Sequence, residues 1–98
     1  MYARATTLEG SPEKMDDAVE QYRQSLSQFK EMSGNQGAIL LVDRASGRGI
    51  GITLWESEGA MSESRDQASQ VRQQAASSVG AEIRSVEEYE VPVFQTSA

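Results

Sequence analysis

The sequence contains no cysteine and no histidine. Without cysteine, the chain can form no disulfide, thiolate nucleophile or cysteine-bound zinc site. Without histidine, it lacks the commonest general base and metal ligand. Any catalysis by this chain must therefore use carboxylates, tyrosine, lysine, arginine or the substrate itself.

Basic residues are scarce as well. Nine Lys and Arg residues stand against fifteen Asp and Glu residues, which gives a formal net charge of −6. The basic residues form no cluster that would attract a phosphate backbone or anionic lipid. We therefore expect neither nucleic acid nor a membrane surface as a partner.

Long apolar runs are also missing. The longest, "AILLV" at 38–42, is too short to cross a bilayer, and the first residues do not have the pattern of a signal peptide. We expect a cytoplasmic protein. The 98 residues fit one domain, which we expect to span residues 1–92, with residues 93–98 as a C-terminal tail.

The first half of the chain predicts a strand followed by a helix. Residues 2–8 have the composition of a strand, and Ser11 and Pro12 then indicate a helix start, with the serine as side-chain cap. Gly34 is the expected helix end. The apolar stripe of this helix follows at spacings of three and four, in Met15, Val19, Tyr22, Leu26 and Phe29.

The second half predicts two paired strands, a helix and a last strand. "GAILLVD" and "GIGITLWE" are joined by "RASGRG", in which Gly47 and Gly49 can supply the positive φ of a tight hairpin. A short turn at 57–61 precedes a longer helix that ends at Gly80, whose small apolar residues suit close packing on a sheet or the border of a space. Residues 82–91 alternate as a half-exposed edge strand. The order β-α-β-β-α-β predicts an α+β ferredoxin-like fold, with an antiparallel sheet and both helices on one face.

Two helices cover only one face of this sheet, yet apolar side chains occupy both faces. Ile50, Ile52 and Leu54 oppose the face that carries Trp55. A contiguous exposed patch of this kind is unusual for a monomer. We expect a homodimer whose sheets pack face to face, with residues 93–94 reaching across. The alternative is an open face that is only mildly apolar, with a frayed tail.

Three segments carry a resemblance to a known family: "EGSPEKMDDAV", "GAILLVDRASGRGIGITLWES" and the helix that follows. They resemble the antibiotic biosynthesis monooxygenase-like (ABM) domains of the dimeric α/β-barrel superfamily, to about Val91. "TLWES" before a helix is moderately specific, and the remainder is likeness at the level of the fold. The resemblance implies a barrel-like dimer with a cleft between each sheet and its helices. It also implies either cofactor-free oxidation of aromatic polyketides to quinones or, in one branch, oxidative haem degradation.

The resemblance aligns Trp55 with a tryptophan that walls the cleft in both branches. The haem branch also uses an iron-binding histidine about three helical turns further on and an asparagine on the first strand. This chain has Arg65 and Ala3 there, and a guanidinium cannot bind iron. The chain therefore lacks both of the polar residues that the haem-degrading branch uses.

The residues themselves leave the role of Trp55 open: its ring can pack as core or stack on a flat ligand. If Ala3, Ala5 and Thr7 lie on the same sheet face, their small side chains leave room for a cavity. The other lining candidates are equally typical of a core at helical spacing. The substrate-binding candidates are Trp55, Ala3, Ala5, Thr7, Phe29 and Met61.

Cofactor-free oxygenation needs a substrate anion that passes an electron to dioxygen, with water excluded. Arg4 and Arg65 are candidate stabilisers of that anion, although Arg65 is equally typical of a surface charge paired with a nearby acidic residue. The candidate bases are Asp43, Glu56 and Tyr22.

The sequence therefore predicts a monooxygenase that uses no cofactor or metal and acts on a small aromatic or polyketide-like molecule. Arg65, Arg4 and Tyr22 are its candidate catalytic residues. The alternative is a non-catalytic dimeric ligand-binding or accessory domain. Haem degradation is the third and least favoured hypothesis.

Overall fold

The elements of the computed structural model, which describes residues 1–97, follow the order that the sequence predicts. Ala98, the end of the expected tail, lies outside the described residues. None of the helices within residues 1–97 combines the length and apolarity needed to cross a membrane. The elements are β1 (Tyr2–Glu9), α1 (Met15–Lys30), β2 (Asn35–Asp43), β3 (Arg48–Trp55), α2 (Glu58–Glu63), α3 (Arg65–Ser78) and β4 (Glu82–Glu90).

The four strands form one antiparallel sheet in the order β2-β3-β1-β4. Strand β1 is central and pairs with both β3 and β4, while β4 is an edge strand, as its alternating sequence predicts. Helices α1 and α3 contact each other on one face of this sheet. The α+β ferredoxin-like fold is therefore confirmed.

The starts of helices α1 and α2 differ in how they are capped. Pro12–Lys14 form a 3-10 turn before α1, and the Ser11 side chain makes no capping bond, so the predicted serine cap is wrong. The turn is closed instead by the backbone, where the Lys14 N–H donates to the Ser11 carbonyl oxygen at 3.0 Å. Ser57 does cap α2, because its Oγ accepts from the Ala60 N–H at 3.1 Å.

The hairpin between β2 and β3 depends on one glycine rather than two. Gly47 has a φ of +81°, and a Cβ there would collide with the carbonyl oxygen of Gly10. The same two residues are joined by the Gly10 N–H, which donates to the Gly47 carbonyl oxygen at 2.9 Å. Gly49 lies inside β3 without a positive φ, so its predicted role in the turn is wrong.

The strand register decides which side chains face the helices. Arg4 lies opposite Thr53, and Tyr2 lies opposite Trp55, so the even-numbered side chains of β1 share the face of Trp55. The prediction that this face carries small residues of β1 is therefore wrong. Those residues lie opposite the apolar side chains on the other face of the sheet: Ala3 opposite Leu54, Ala5 opposite Ile52 and Thr7 opposite Ile50.

The other face of the sheet is largely apolar, and no helix within residues 1–97 lies over it. Ile39 and Leu41 of β2 lie opposite Ile52 and Ile50, and 49% of Leu41 is exposed. Tyr89 of β4 is also exposed and continues the same face beside Ala3. We call this surface the open face.

The core lies between the helices and the face of the sheet opposite the open face, and Trp55 is its largest fully buried side chain. Its members are Phe29, Met32, Trp55, Met61, Ala68 and Val71, with Tyr2 packed against them. The predicted stripe on α1 is confirmed at Met15 and Phe29 but not at Leu26, which is exposed. Ser25 is buried one position earlier, and its hydroxyl donates to the Gln21 carbonyl oxygen at 3.0 Å.

Candidate ligand-binding cleft

A cleft lies between the sheet and helices α1 and α3. Its cavity volume is about 100 Å³, and it is partly open to solvent. Its lining extends along β1 from Arg4 to Gly10, which corresponds to about 20 Å of extended strand. The α3 wall is built from Ala68, Val71, Arg72, Ala75, Ala76 and Val79, so the small-residue surface expected of this helix does border a space.

Glycines in β3 create much of the room above the sheet. Gly49 and Gly51 occupy alternate positions and face the helices together with Thr53. A Cβ at Gly51 would lie 3.0 Å from Cε1 of Tyr22, which is closer than ordinary van der Waals contact. The missing side chain therefore lets the Tyr22 ring lie directly against the sheet. Glycine at these positions, rather than the small residues of β1, therefore lines this face of the sheet.

Trp55 is core and does not line the cleft. Its side chain is 0% exposed, and its indole N–H donates to Thr53 Oγ1 at 3.0 Å. The guanidinium carbon of Arg4 lies 5.6 Å from the ring centroid, at cation–π distance. Trp55 thus supports the end of the cleft through two residues that do line it, Arg4 and Thr53. Of the two other candidates in the core, Phe29 also lines the cleft, whereas Met61 does not.

Arg4 is the most firmly held charged side chain of the cleft. It is 2% exposed and donates from all three guanidinium nitrogens. Nε donates to Glu88 Oε2 at 3.0 Å, Nη1 to Ser64 Oγ at 3.2 Å, and Nη2 to the Met61 carbonyl oxygen at 2.6 Å. Charge-assisted bonds to a carboxylate and two neutral oxygens allow this charge to be buried. The sequence analysis named Arg4 as a candidate but did not identify the side chains that hold it.

Arg65 lies outside the cleft. Its side chain is 57% exposed, and its Nη2 lies 2.6 Å from Glu88 Oε1. Both oxygens of Glu88 are therefore engaged by arginines. The pKa of Glu88 is held below its ordinary value, first by the hydrogen bond from Arg65 and then by Arg4, against the opposing effect of burial.

Tyr22 lines the cleft but does not have the properties of a general base. Its hydroxyl oxygen lies 3.1 Å from the Ile39 carbonyl oxygen and 3.4 Å from that of Ile52. Burial raises its pKa to about 12, although the hydrogen bond to Ile52 opposes the shift. The phenol is therefore protonated at neutral pH and fixes the ring against the sheet.

The two carboxylate candidates lie away from the cleft. Asp43 begins the hairpin, where its Oδ1 accepts from the Ala45 N–H at 3.1 Å. Hydrogen bonds from the side chain of Ser46 and then from the backbone lower its pKa. Glu56 is exposed at the end of β3, and neither carboxylate is among the lining residues.

Arg72 is a functional candidate that the sequence analysis did not identify. It lines the cleft from α3, and its Nε is buried without a hydrogen-bond partner. Burial, and then the positive charge of Arg4, lower its pKa, while Glu88 opposes the shift. One signal was available: Arg72 lies four residues after Ala68 and four before Ala76, on the buried side of α3.

The lining residues do not fit a haem iron. The chain lacks histidine and cysteine, and the Tyr22 phenol is protonated and directed at backbone carbonyls. Met15 also lines the cleft, but a thioether serves haem iron beside a stronger ligand such as histidine. Residues 1–97 contain no group of three Asp or Glu side chains arranged to hold a metal ion.

The sequence of the chain matches uncharacterised proteins of Mycobacterium tuberculosis. It is 37% identical to Rv2557 over 92 residues, which are 93% of this chain and 41% of that protein. It is 36% identical to Rv2558 over 95 residues, which are 96% of this chain and 40% of that protein. The chain therefore spans about two fifths of the length of these relatives. No protein-family model matches the chain.

Solved structures match nearly the whole chain. A Deinococcus radiodurans protein, whose name proposes an antibiotic biosynthesis monooxygenase, has a TM-score of 0.73 at 16% identity and covers 100% of this chain and 99% of its own. A Bordetella bronchiseptica protein with the same proposed activity has a TM-score of 0.72 at 21% identity, over 94% and 97% of the two chains. The haem degrader MhuD of Mycobacterium tuberculosis, solved with two haems in its active site, has a TM-score of 0.70 at 16% identity, over 98% and 100%. The chain thus has the ferredoxin-like fold of the antibiotic biosynthesis monooxygenase domains.

Proposed function

We propose that the chain binds a small, mostly apolar aromatic molecule in the cleft and oxidises it with dioxygen without a cofactor. The observation that carries this proposal is the cleft itself. It has a cavity volume of about 100 Å³ between sheet and helices, opens to solvent, and is lined mainly by Ala, Val, Leu, Met and aromatic side chains. Its fold is that of domains named for monooxygenation.

The reaction that suits this cleft is oxidation of an activated methylene or phenol to a quinone. A substrate R₂CH₂ loses a proton, and its carbanion passes electrons to dioxygen. The substrate carbon gains one oxygen atom and the other leaves as water, so that R₂CH₂ and O₂ give R₂CO and H₂O. The cationic side chains that line the cleft, Arg4, Lys14 and Arg72, favour the substrate anion. The apolar walls exclude water from it.

A second candidate function is ligand binding without catalysis. The observation that favours it is the absence of a general base: no carboxylate lines the part of the cleft within residues 1–97, and Tyr22 is held protonated. Oxygenation is therefore restricted to substrates acidic enough to ionise in the cleft with help from the cations alone. A neutral ligand with no acidic hydrogen would be bound and left unchanged.

We also propose that the protein is a homodimer in which the open faces of two copies pack together. Ile39, Leu41 and Tyr89 are exposed there, and a second copy would remove them from water. Val93 and Phe94, which follow β4, are also exposed, and the proposed contact would extend to them. Sedimentation should give twice the chain mass of 10.7 kDa.

The function is tested by recording binding and oxygen consumption in the same samples. Trp55 is the one tryptophan of the chain and supports one end of the cleft, so energy transfer to a bound anthrone or naphthol quenches it without contact. Saturable quenching with oxygen uptake above the buffer rate, and one dioxygen consumed per quinone formed, is the expected result. Quenching without uptake would leave the binding function, and no saturable quenching by either compound would refute both. The Trp55→Phe variant gives the optical background.

A further inference from the structure

Positive charge exceeds negative charge at the Arg4 end of the cleft. Asp66 acts on Arg65 alone, whereas the carboxylate of Glu88 interacts electrostatically with Arg4, Arg65 and Arg72. Both oxygens of that carboxylate are taken, Oε2 by Arg4 and Oε1 by Arg65. The excess of arginine is notable in a chain whose formal net charge is −6. Within residues 1–97, one guanidinium at this end therefore forms no salt bridge.

The unmatched group is Arg72. Its Nε is buried and has no hydrogen-bond partner, and Arg72 takes part in none of the salt bridges found within residues 1–97. A buried polar group without a partner destabilises the fold, and an unpaired charge does so more strongly. Burial and the neighbouring charge of Arg4 already lower its pKa. A bound anion would give Nε a hydrogen-bond partner and would offset the positive charge of Arg4.

The rest of the lining limits the kind of anion. Apart from the cations Arg4, Lys14 and Arg72, the side chains along the cleft are apolar or neutral, and no Asp or Glu of residues 1–97 lines it. A small hydrated anion would leave the apolar surface uncovered. A ligand with an apolar body and one acid group suits both the apolar lining and the guanidinium. Its body covers the apolar surface, and its carboxylate accepts two parallel N–H bonds from the planar guanidinium fork.

We infer that Arg72 is the anion-binding residue of the cleft and that the ligand is an apolar carboxylic acid. Its carboxylate lies against Arg72, and its apolar body extends beside β1 towards Gly10. This inference rests on the proposed use of the cleft as the ligand site and adds to it the chemical class of the ligand and the residue that selects it. The cleft extends for about 20 Å along β1, which suits an elongated or fused-ring molecule.

The test compares two probes of the same shape, anthracene-2-carboxylate and 2-(hydroxymethyl)anthracene, by isothermal titration calorimetry. We expect the wild-type chain to bind the acid at least about ten-fold more tightly than the alcohol, because the alcohol cannot form an ion pair. Arg72→Gln should bind the two probes equally, with the affinity for the alcohol unchanged. Arg72→Lys should retain part of the preference, since it keeps the charge but not the fork.

The matched control is Arg23→Gln, which removes an arginine from the exposed surface of α1, where it pairs with Glu20. It should keep the full preference for the acid. Thermal unfolding of Arg72→Gln checks the fold, and its Tm should not fall, because the lost charge has no partner to leave behind. A destabilised Arg72→Gln variant would contradict the unpaired state of Arg72.

Three results would overturn the inference. If the wild type binds the alcohol as tightly as the acid, Arg72 selects no anion, while the proposed function of the cleft stands. If the preference for the acid survives in Arg72→Gln, another group provides it. If neither probe binds, the inference fails together with the proposed function.

Discussion

Replacing Glu88 with glutamine should destabilise the protein strongly, because it removes the negative charge that allows Arg4 to be buried. Arg4 is 2% exposed, whereas the side chain of Glu88 is 25% exposed. Glutamine keeps one oxygen that can accept from Arg4 but carries no charge. Glu88→Gln therefore tests whether the charge, rather than the hydrogen bond, holds β1, β4 and α2 together at this point.

The expected size follows from the burial of the pair. Removing one partner of a fully buried ion pair costs about 3–5 kcal/mol. Because one quarter of Glu88 is in contact with water, we expect a loss of about 2–4 kcal/mol in the free energy of unfolding. For a domain of this length, that loss lowers the Tm by about 10 °C or more.

Chemical and thermal unfolding followed by circular dichroism measure this loss, and Arg65→Gln is the matched control. Arg65 binds the other oxygen of the same carboxylate but is mostly exposed, so its removal should have a much smaller effect. Equal losses in the two variants, or a Glu88→Gln variant as stable as the wild type, would refute the argument from burial.

The pH dependence gives an independent check on the same carboxylate. The folded-state pKa of Glu88 lies below its ordinary value. Its contribution to stability is therefore fully present above about pH 4.3, the ordinary value for glutamate, and is lost as the pH falls through the folded-state pKa. The difference in stability between the wild type and Glu88→Gln should shrink over that range. A difference that stays constant down to pH 2 would mean that the charge of Glu88 contributes nothing.

Three further predictions address the cleft, the open face and the tyrosine. Gly51→Val should abolish saturable quenching of Trp55 by anthrone, because its side chain must occupy the space beside the Tyr22 ring; unchanged binding with an intact circular dichroism spectrum would place the ligand elsewhere. Leu41→Glu should convert the dimer to a monomer in sedimentation, whereas Leu26→Glu, which charges an exposed apolar site on α1, should not. The pKa of about 12 for Tyr22 predicts a late step in the absorbance titration at 295 nm; this step should be missing in Tyr22→Phe, which should nevertheless retain oxygen uptake.

The order of the elements was predictable because each has a local signal. Alternating apolar residues mark the strands, and glycines with positive φ follow both long helices, at Gly34 and Gly80. The hairpin turn could be located between β2 and β3 but not assigned to one glycine. Gly10, which follows β1, packs against the turn, and this long-range contact shows why position 47 must lack a side chain.

The cleft was predictable as a feature of the fold, but its lining was not. The error came from the strand register, since a shift of one residue moves every side chain of a strand to the other face. The sequence of β1 offers small residues at odd positions and Arg4 at an even one, and burial normally disfavours arginine. Glu88, which makes that burial favourable, is 84 residues away in the sequence and adjacent only after the sheet has formed. Arg72 was missed because a charged residue on a helix is usually exposed to solvent.

Two glycines facing the helices also give this fold a simple means of changing what it accepts. Where Gly49 and Gly51 line the cleft, its floor is main chain, and the Tyr22 ring lies over Gly51. Adding a methyl group at Gly49 would make the cleft shallower there, and adding one at Gly51 would displace the Tyr22 ring, while neither change touches the Arg4–Glu88 pair. Depth and charge are thus set by separate residues, so that in chains of this fold the thickness of the ligand and its acid group could diverge independently.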